Sequence, residues 1–368
     1  MLTPLLHPTR VVVILFAGLL WSAGLGAHEG RLGQFADHTD IGAPRHAGTV
    51  AYDEQAKTYT VGGGGTNMWF RNDAFHLVWT QVEGDIALAT DIAFAGTGGD
   101  PHRKAVLMIR QSLAPDAAYA DVAVHGDGLT SLQFRETAGE VTHEVQTAIT
   151  APKRLRIEKV GDYVYMSLAG EDSVLRPSGC STRLPFAGPF YLGIGVCAHN
   201  DAAFETAVFS NVVIGPPSAE VTAVRSSLEF VYVASGDRRS VWHTSEVVEA
   251  PAWADGGRAI RFNGGGRRHR LELGAGSRPV EEGPAPAAPG RPAGFNPDRL
   301  FAQISPDGAQ VAFLSLVAGD VLLGVAPVHG GEARTLVKLE AGHGPLSPPS
   351  WSPDGTRIAY VRYQPGRP

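Results

Sequence analysis

The chain has 368 residues, a formal net charge of −6 and 43% hydrophobic residues. The acidic balance speaks against a surface that neutralises a phosphate backbone, so nucleic acid is not an expected partner. At roughly 150 residues per domain, the length asks for two cores.

The N-terminus carries Arg10, then an apolar run from Val11 to Trp21, then small residues through Ala27. That is the layout of a secretory signal peptide over residues 1–26, with cleavage expected after Gly26. The apolar run is shorter than the about 20 residues a spanning helix needs. No second such run follows, so no membrane span is expected after cleavage, and the mature chain is expected in the periplasm or outside the cell. In that oxidising setting Cys180 and Cys197 are a candidate disulfide, although two buried free thiols would read the same from sequence.

From about Arg31 to Ile214 short alternating segments are separated by Gly, Asp, Asn and Pro, the pattern of a β-sandwich or barrel. Expected strands include Phe75–Val82, Asp85–Phe94, Ala105–Gln111, Leu129–Arg135, Leu155–Lys159, Tyr163–Leu168 and Tyr191–Ala198. No stretch holds a 3.6-residue apolar period for three turns, so helices are expected to be minor. The run FHLVWTQVEGDIALATDIAF, then GDPHRKAVLMIRQSL, HGDGLTSLQFR, KRLRIEKVGDYVYM and a closing AVFSNVVI resemble, in that order, the concanavalin A-like, laminin G-type jelly roll. The resemblance implies a jelly-roll domain over residues 27–215.

After Gly215-Pro216-Pro217, a plausible linker, the texture becomes repetitive. Ser305-Pro306-Asp307-Gly308 and Ser352-Pro353-Asp354-Gly355 recur about 47 residues apart, each ahead of an alternating strand, as blades of a β-propeller do. Trp253-Ala254-Asp255-Gly256 is a degenerate third copy, and the Pro- and Gly-rich insert Pro279–Gly294 reads as a loop. Trp351–Gly355 resembles the blade-opening turn of TolB-like propellers. Residues 216–368 hold about three such repeats, while propellers close with 4 to 8. The expected fold is therefore all-β, a jelly-roll sandwich followed by an incomplete propeller whose last strands form an exposed, protease-sensitive edge.

No Gly-x-Ser-x-Gly elbow and no His-Glu-x-x-His is present, and His143-Glu144 lacks the second His. No cofactor motif is found. Asp100-Pro101-His102, His125-Gly126-Asp127 and His199-Asn200-Asp201 each offer two ligand atoms, but such strings are common in turns and no metal is expected. Strand alternation puts Ser131, Gln133 and Arg135 on one face and Leu132 and Phe134 on the other, the core face. Arg110 interrupts an apolar strand, and His76 and Tyr165 alternate against apolar neighbours. Trp69, His76, Arg110, His125, Gln133, Arg135 and Tyr165 are the candidate ligand-binding residues, mixing donors with aromatic platforms as a sugar-sized ligand requires. A solvated sheet face with charge-paired arginines accounts for the same pattern. The leading expectation is a non-enzymatic envelope protein that recognises a glycan or similar polar ligand on the jelly roll and docks a protein partner on the propeller. A glycan hydrolase or lyase with an unfamiliar carboxylate pair, and a purely structural scaffold, are the alternatives.

Overall fold

The computed structural model of the protein describes residues 32–147, 149–274, 276–286, 300–317, 320–340 and 345–364. The signal-peptide expectation for residues 1–26, and the second half of the insert Pro279–Gly294, lie outside them; the first half, expected as loop, contains the strand Val280–Pro284, which pairs with Arg267–Glu272.

The described chain is all-β, and its only helical turns are two 3-10 turns, Val221–Ala223 and Asp255–Gly257. Two sheets face each other. The first runs, edge to edge, through Asp37–Ile41, Asn72–Val82, Phe190–Cys197, Lys104–Arg110, Tyr119–His125, Thr130–Arg135 and His143–Gln146. The second runs through Leu175–Arg183, Tyr163–Ala169, Arg154–Val160, Ile86–Phe94, Glu205–Gly215, Thr58–Gly63 and Thr49–Asp53. Period-2 alternation sends one side of each strand inward. Leu107, Ile109, Val122, Leu132 and Phe134 of the first sheet meet Leu88, Leu155, Ile157, Met166 and Phe209 of the second in one core. Burying each such side chain contributes about 1.5–3 kcal/mol.

Turn chemistry is local and regular. In both Ser-Pro-Asp-Gly segments the serine hydroxyl bonds the aspartate carboxylate (Ser305 Oγ to Asp307 Oδ1, 2.5 Å; Ser352 Oγ to Asp354 Oδ1, 2.6 Å), and the glycine N–H returns to the serine carbonyl. Gly308 and Gly355 take φ of 74° and 69°, which glycine adopts without a Cβ penalty. Gly65 is needed for a different reason: a Cβ there would lie 1.9 Å from the Ala74 carbonyl oxygen.

Beyond Gly215 the chain forms further four-stranded antiparallel sheets, Val248–Pro284 and Leu300–Glu340. The last strand is not left as an edge. Arg357–Tyr363 pairs with Ser350–Trp351 on one side and with Ser226–Tyr232 on the other, so segments from both ends of this region complete one sheet. That sheet is continuous with the sandwich, because Arg238–Thr244 pairs in parallel with His143–Gln146 through Val145–Arg238 and Gln146–Arg239. From Leu32 onward the molecule is one compact unit.

The candidate disulfide does not form. Cys180 lies in the core between the two sheets, whereas Cys197 lies on the other face of the first sheet among Met68, Phe75 and Met108, so a whole sheet separates two free thiols. Burial pushes Cys180 up to about 12 and Cys197 up to about 11.

Candidate functional site

The face of the first sheet turned away from the core is where the polar residues collect. Its strands are in register, so side chains fall into rows across it. Arg110, Tyr119 and Arg135 form one row; Met108, Asp121, Gln133 and Glu144 the next; Val106, Ala123, Ser131 and Gln146 a third; Lys104 and His125 a fourth. Short segments cover this face, chief among them Asn67–Trp69, which pairs back onto Asn72–Val82.

The first row is an anchor. Asp73 accepts hydrogen bonds from Arg110 Nη1 (3.2 Å) and from Arg135 Nη1 and Nη2 (3.1 and 2.7 Å). The same guanidinium groups donate to loop carbonyls, Arg110 to Ser112 and Ala114, Arg135 to Phe70, Ala117 and Glu140. Both arginines are wholly buried, and Arg135 stacks 4.9 Å from the Tyr119 ring centre. Neither presents a donor to solvent. The expectation that they read a ligand directly gives way to one in which they fasten the loops that border the site, because long-range contacts cover the strand face that alternation alone would leave open.

The middle rows differ in having unmet polar atoms. Asp121 is wholly buried, yet neither carboxylate oxygen has a hydrogen-bond partner; the same holds for Ser131 Oγ and Gln133 Oε1. Gln133 Nε2 reaches His125 Nε2 (3.4 Å) and Glu144 Oε2 (3.5 Å), and Gln146 Nε2 donates to Glu144 Oε1 (2.6 Å). Lys104 Nζ donates to Asn67 Oδ1 (2.8 Å) and the Met68 carbonyl (3.3 Å), and lies 5.3 Å from the Trp69 ring centre. Trp69, Asn67 and Gln146 are half-buried and form the part of this cluster open to solvent.

Burial dominates the electrostatics. It raises the Asp121 carboxyl well above the usual carboxylate range, against the opposing pull of Lys104, and it lowers the Lys104 ammonium. His125 is held down to about 4, first by burial and then by Lys104, so it is neutral at pH 7. Its Nδ1 lies 3.0 Å from the Leu129 carbonyl, which assigns the proton to Nδ1 and leaves Nε2 to accept from Gln133. With an unfolded value near 6.5, the unfolded chain binds the extra proton between about pH 6.5 and 4, so this residue withdraws up to roughly 3 kcal/mol of stability on acidification. His125→Gln is expected to remove this contribution, so that in urea titrations the variant is favoured at pH 4.5 relative to pH 7 by more than the wild type is; an unchanged difference between the two pH values would contradict it.

His76 and Tyr165 lie elsewhere. His76 is on the core side of the same sheet near its edge, with Nδ1 2.7 Å from Asp40 and Nε2 3.1 Å from His38. Tyr165 is in the second sheet, stacked against Tyr163. Trp69, His125 and Gln133 thus share one site, Arg110 and Arg135 support it, and His76 and Tyr165 are apart from it. Asp121, Lys104 and Glu144 join the site although the sequence alone did not mark them; Tyr119–His125 is buried on both faces, and it is the register pairing Asp121 with Gln133 that places Asp121 here.

At the rim beside His125 the three His-containing turns do converge. The His102 ring lies 6.2 Å from His125 and 5.3 Å from His199, and His199 Nδ1 is 3.2 Å from Asp100 Oδ1. Among the described residues, no group of three or more His, Cys, Asp or Glu is arranged to hold a metal ion.

No family model matches the chain. It is 40% identical over 73 residues to an uncharacterized protein, Atu1656, of Agrobacterium fabrum strain C58, a match covering 18% of this chain and 25% of that protein. The chain therefore spans about a quarter of the length of the curated relative it matches. Among solved structures, the carbohydrate-binding module CBM66 from Bacillus subtilis aligns with 49% of this chain and 96% of its own, at 21% identity and a TM-score of 0.32. A putative TolB from Agrobacterium tumefaciens aligns with 39% of this chain and 99% of its own, at 19% identity and a TM-score of 0.28. Solved structures at similar scores include a lectin from Bauhinia forficata, alginate lyases and a glucanase, so likeness to them argues neither for binding nor for cleavage.

Proposed function

We propose that the protein is an exported, non-enzymatic component of the cell envelope that binds a glycan on the outer face of the first sheet, with half-buried Trp69 as stacking platform and with the wholly buried Asp121, Ser131 and Gln133 becoming hydrogen-bonding partners when the covering Asn67–Trp69 segment moves aside. One observation carries this reading: four orphaned polar atoms on two neighbouring strands share a sheet face with Lys104, whose ammonium lies 5.3 Å from the ring centre of half-buried Trp69. An unpaired buried polar atom costs about 1–3 kcal/mol, and sugar hydroxyls that donate to Asp121 and Gln133 recover that energy on binding. The aromatic face supplies the apolar contact that orients a pyranose ring. The sheets beyond Gly215 serve, in this proposal, as a docking surface for an envelope protein partner.

A second reading rests on Asp121 and Glu144, which flank Gln133 on one face. Two strand spacings, about 9.6 Å, separate their backbones. In inverting glycosidases the acid and the base are carboxyl groups about 6.5–9.5 Å apart. A protonated Asp121 suits the acid role.

One incubation separates the two readings. Purified protein passed over envelope and cell-wall polysaccharides is expected to be retained, with no rise in reducing ends or unsaturated product. Product release would replace the binder with the enzyme, and neither retention nor product would remove both.

A further inference from the structure

A cavity of about 370 Å³ lies away from the polar sheet face, where the end of the sandwich meets the strands beyond Gly215. Its wall includes Phe134, His143, Arg183, Arg238, Lys338 and Arg362. Arg238 and Arg362 are buried on neighbouring parts of the shared sheet. Arg238 sits 5.1 Å from the Phe134 ring centre and bonds Tyr360; Arg362 donates to Ser181 Oγ at 2.8 Å and stands 3.9 Å from Glu229 Oε1. Glu229 is the buried carboxylate of this network, and its other oxygen accepts from Tyr360 at 2.5 Å. Its Oε1 has no hydrogen-bond partner.

Two buried guanidinium groups therefore share one carboxylate. Burial together with the nearby Arg238 keeps His143 below its usual value, so it adds no charge at neutral pH. At the mouth Lys338 pairs with Asp320 (3.0 Å) and Arg183 with Asp162 (2.8 Å), both half-exposed pairs that an incoming anion can compete for. Glu136, also at the wall, attracts Arg238 but is exposed, so solvent screens it. The buried side of the wall is left with one positive charge in excess. A buried charge without its partner is costly, and a guanidinium fork matches a carboxylate or phosphate group with paired hydrogen bonds. Thr137, Thr182 and Thr335 add hydroxyls to the same wall. The volume falls in the about 300–1,000 Å³ range of small-molecule sites.

We propose that this cavity binds a sugar-sized acid, its anionic group held by Arg238 and Arg362 and its hydroxyls by the threonines. The shared chemistry is a polyhydroxylated anion, and uronic acids and sugar phosphates both supply it.

The test is calorimetric titration of the full chain with glucuronate, glucose 1-phosphate and glucose at low and high salt. At least one acid is expected to bind, weakening with salt, while glucose does not; the tighter acid tells which anionic group the cavity takes. Lys338→Glu, at the exposed mouth where folding is not at stake, is expected to weaken binding at least tenfold, and Arg238→Ala to abolish it. Gln133→Ala, which disables the proposed glycan face, is expected to leave it unchanged. Absence of binding by both acids, equal binding of glucose, indifference to Lys338→Glu, or loss of binding in Gln133→Ala would each overturn the cavity proposal without touching the glycan-face reading.

Discussion

Asp73→Ala is expected to lower the unfolding free energy by about 3–5 kcal/mol, the range found when one partner of a buried ion pair is removed. The reason is the asymmetry of the cluster. Asp73 takes three hydrogen bonds from two guanidinium groups that are wholly buried, and arginine cannot shed its charge to escape the site. Their remaining bonds to the carbonyls of Phe70, Ser112, Ala114 and Glu140 would persist but could not neutralise two charges. Because those carbonyls belong to the loops that border the polar face, the variant should also lose glycan retention at temperatures where it is still folded. Urea titration followed by fluorescence measures the first effect. A change below about 1 kcal/mol would show that water or another group reaches the arginines.

Asp121→Asn is expected to weaken glycan retention at least tenfold and to leave stability rising with pH between about 4 and 6.5. The sign follows from linkage. Burial raises the folded carboxyl above its unfolded value of about 3.9, so in the native protein Asp121 keeps a proton that the unfolded chain has released. Stability from this residue is therefore intact below about pH 4 and declines as pH rises, by about 1.4 kcal/mol for each unit of upward shift. His125 acts in the opposite direction over the same window, since its folded value of about 4 lies below the unfolded one. In the wild type the two slopes oppose each other. Asp121→Asn should leave a protein that gains stability as pH rises from 4 to 6.5, and His125→Gln one that loses it. Parallel pH profiles for the two variants would mean that the carboxyl is hydrated and ionised in the native state.

The parts of the structure legible in the sequence were those set by local chemistry. Alternation along Leu129–Arg135 puts Leu132 and Phe134 in the core and Ser131 and Gln133 on the opposite face, as the sheet does. The Ser-Pro-Asp-Gly turns close through hydrogen bonds within five residues. The failures involve contacts distant along the chain. Arg110 and Arg135 look like solvent-facing donors because alternation says only which side a residue takes; that the start of the strand Asn72–Val82 brings Asp73 to them depends on a segment 37 and 62 residues away. Tyr119–His125 escaped notice because both of its faces are buried, so Ala, Val and Tyr nearly fill the strand and Asp121 reads as an interruption. Completion of the last sheet by Ser226–Tyr232 joins residues more than a hundred positions apart, which a repeat count cannot show. Cys180 and Cys197 are close in sequence, yet a sheet divides them.

The glycan-binding claim is tested most directly by a crystal structure of the protein with an oligosaccharide that it retains. The account places a sugar ring against Trp69, with hydroxyls within about 3 Å of Asp121 and Gln133, the length of an ordinary hydrogen bond. A sugar bound elsewhere on the molecule, with Asp121, Ser131 and Gln133 still lacking partners, would contradict it.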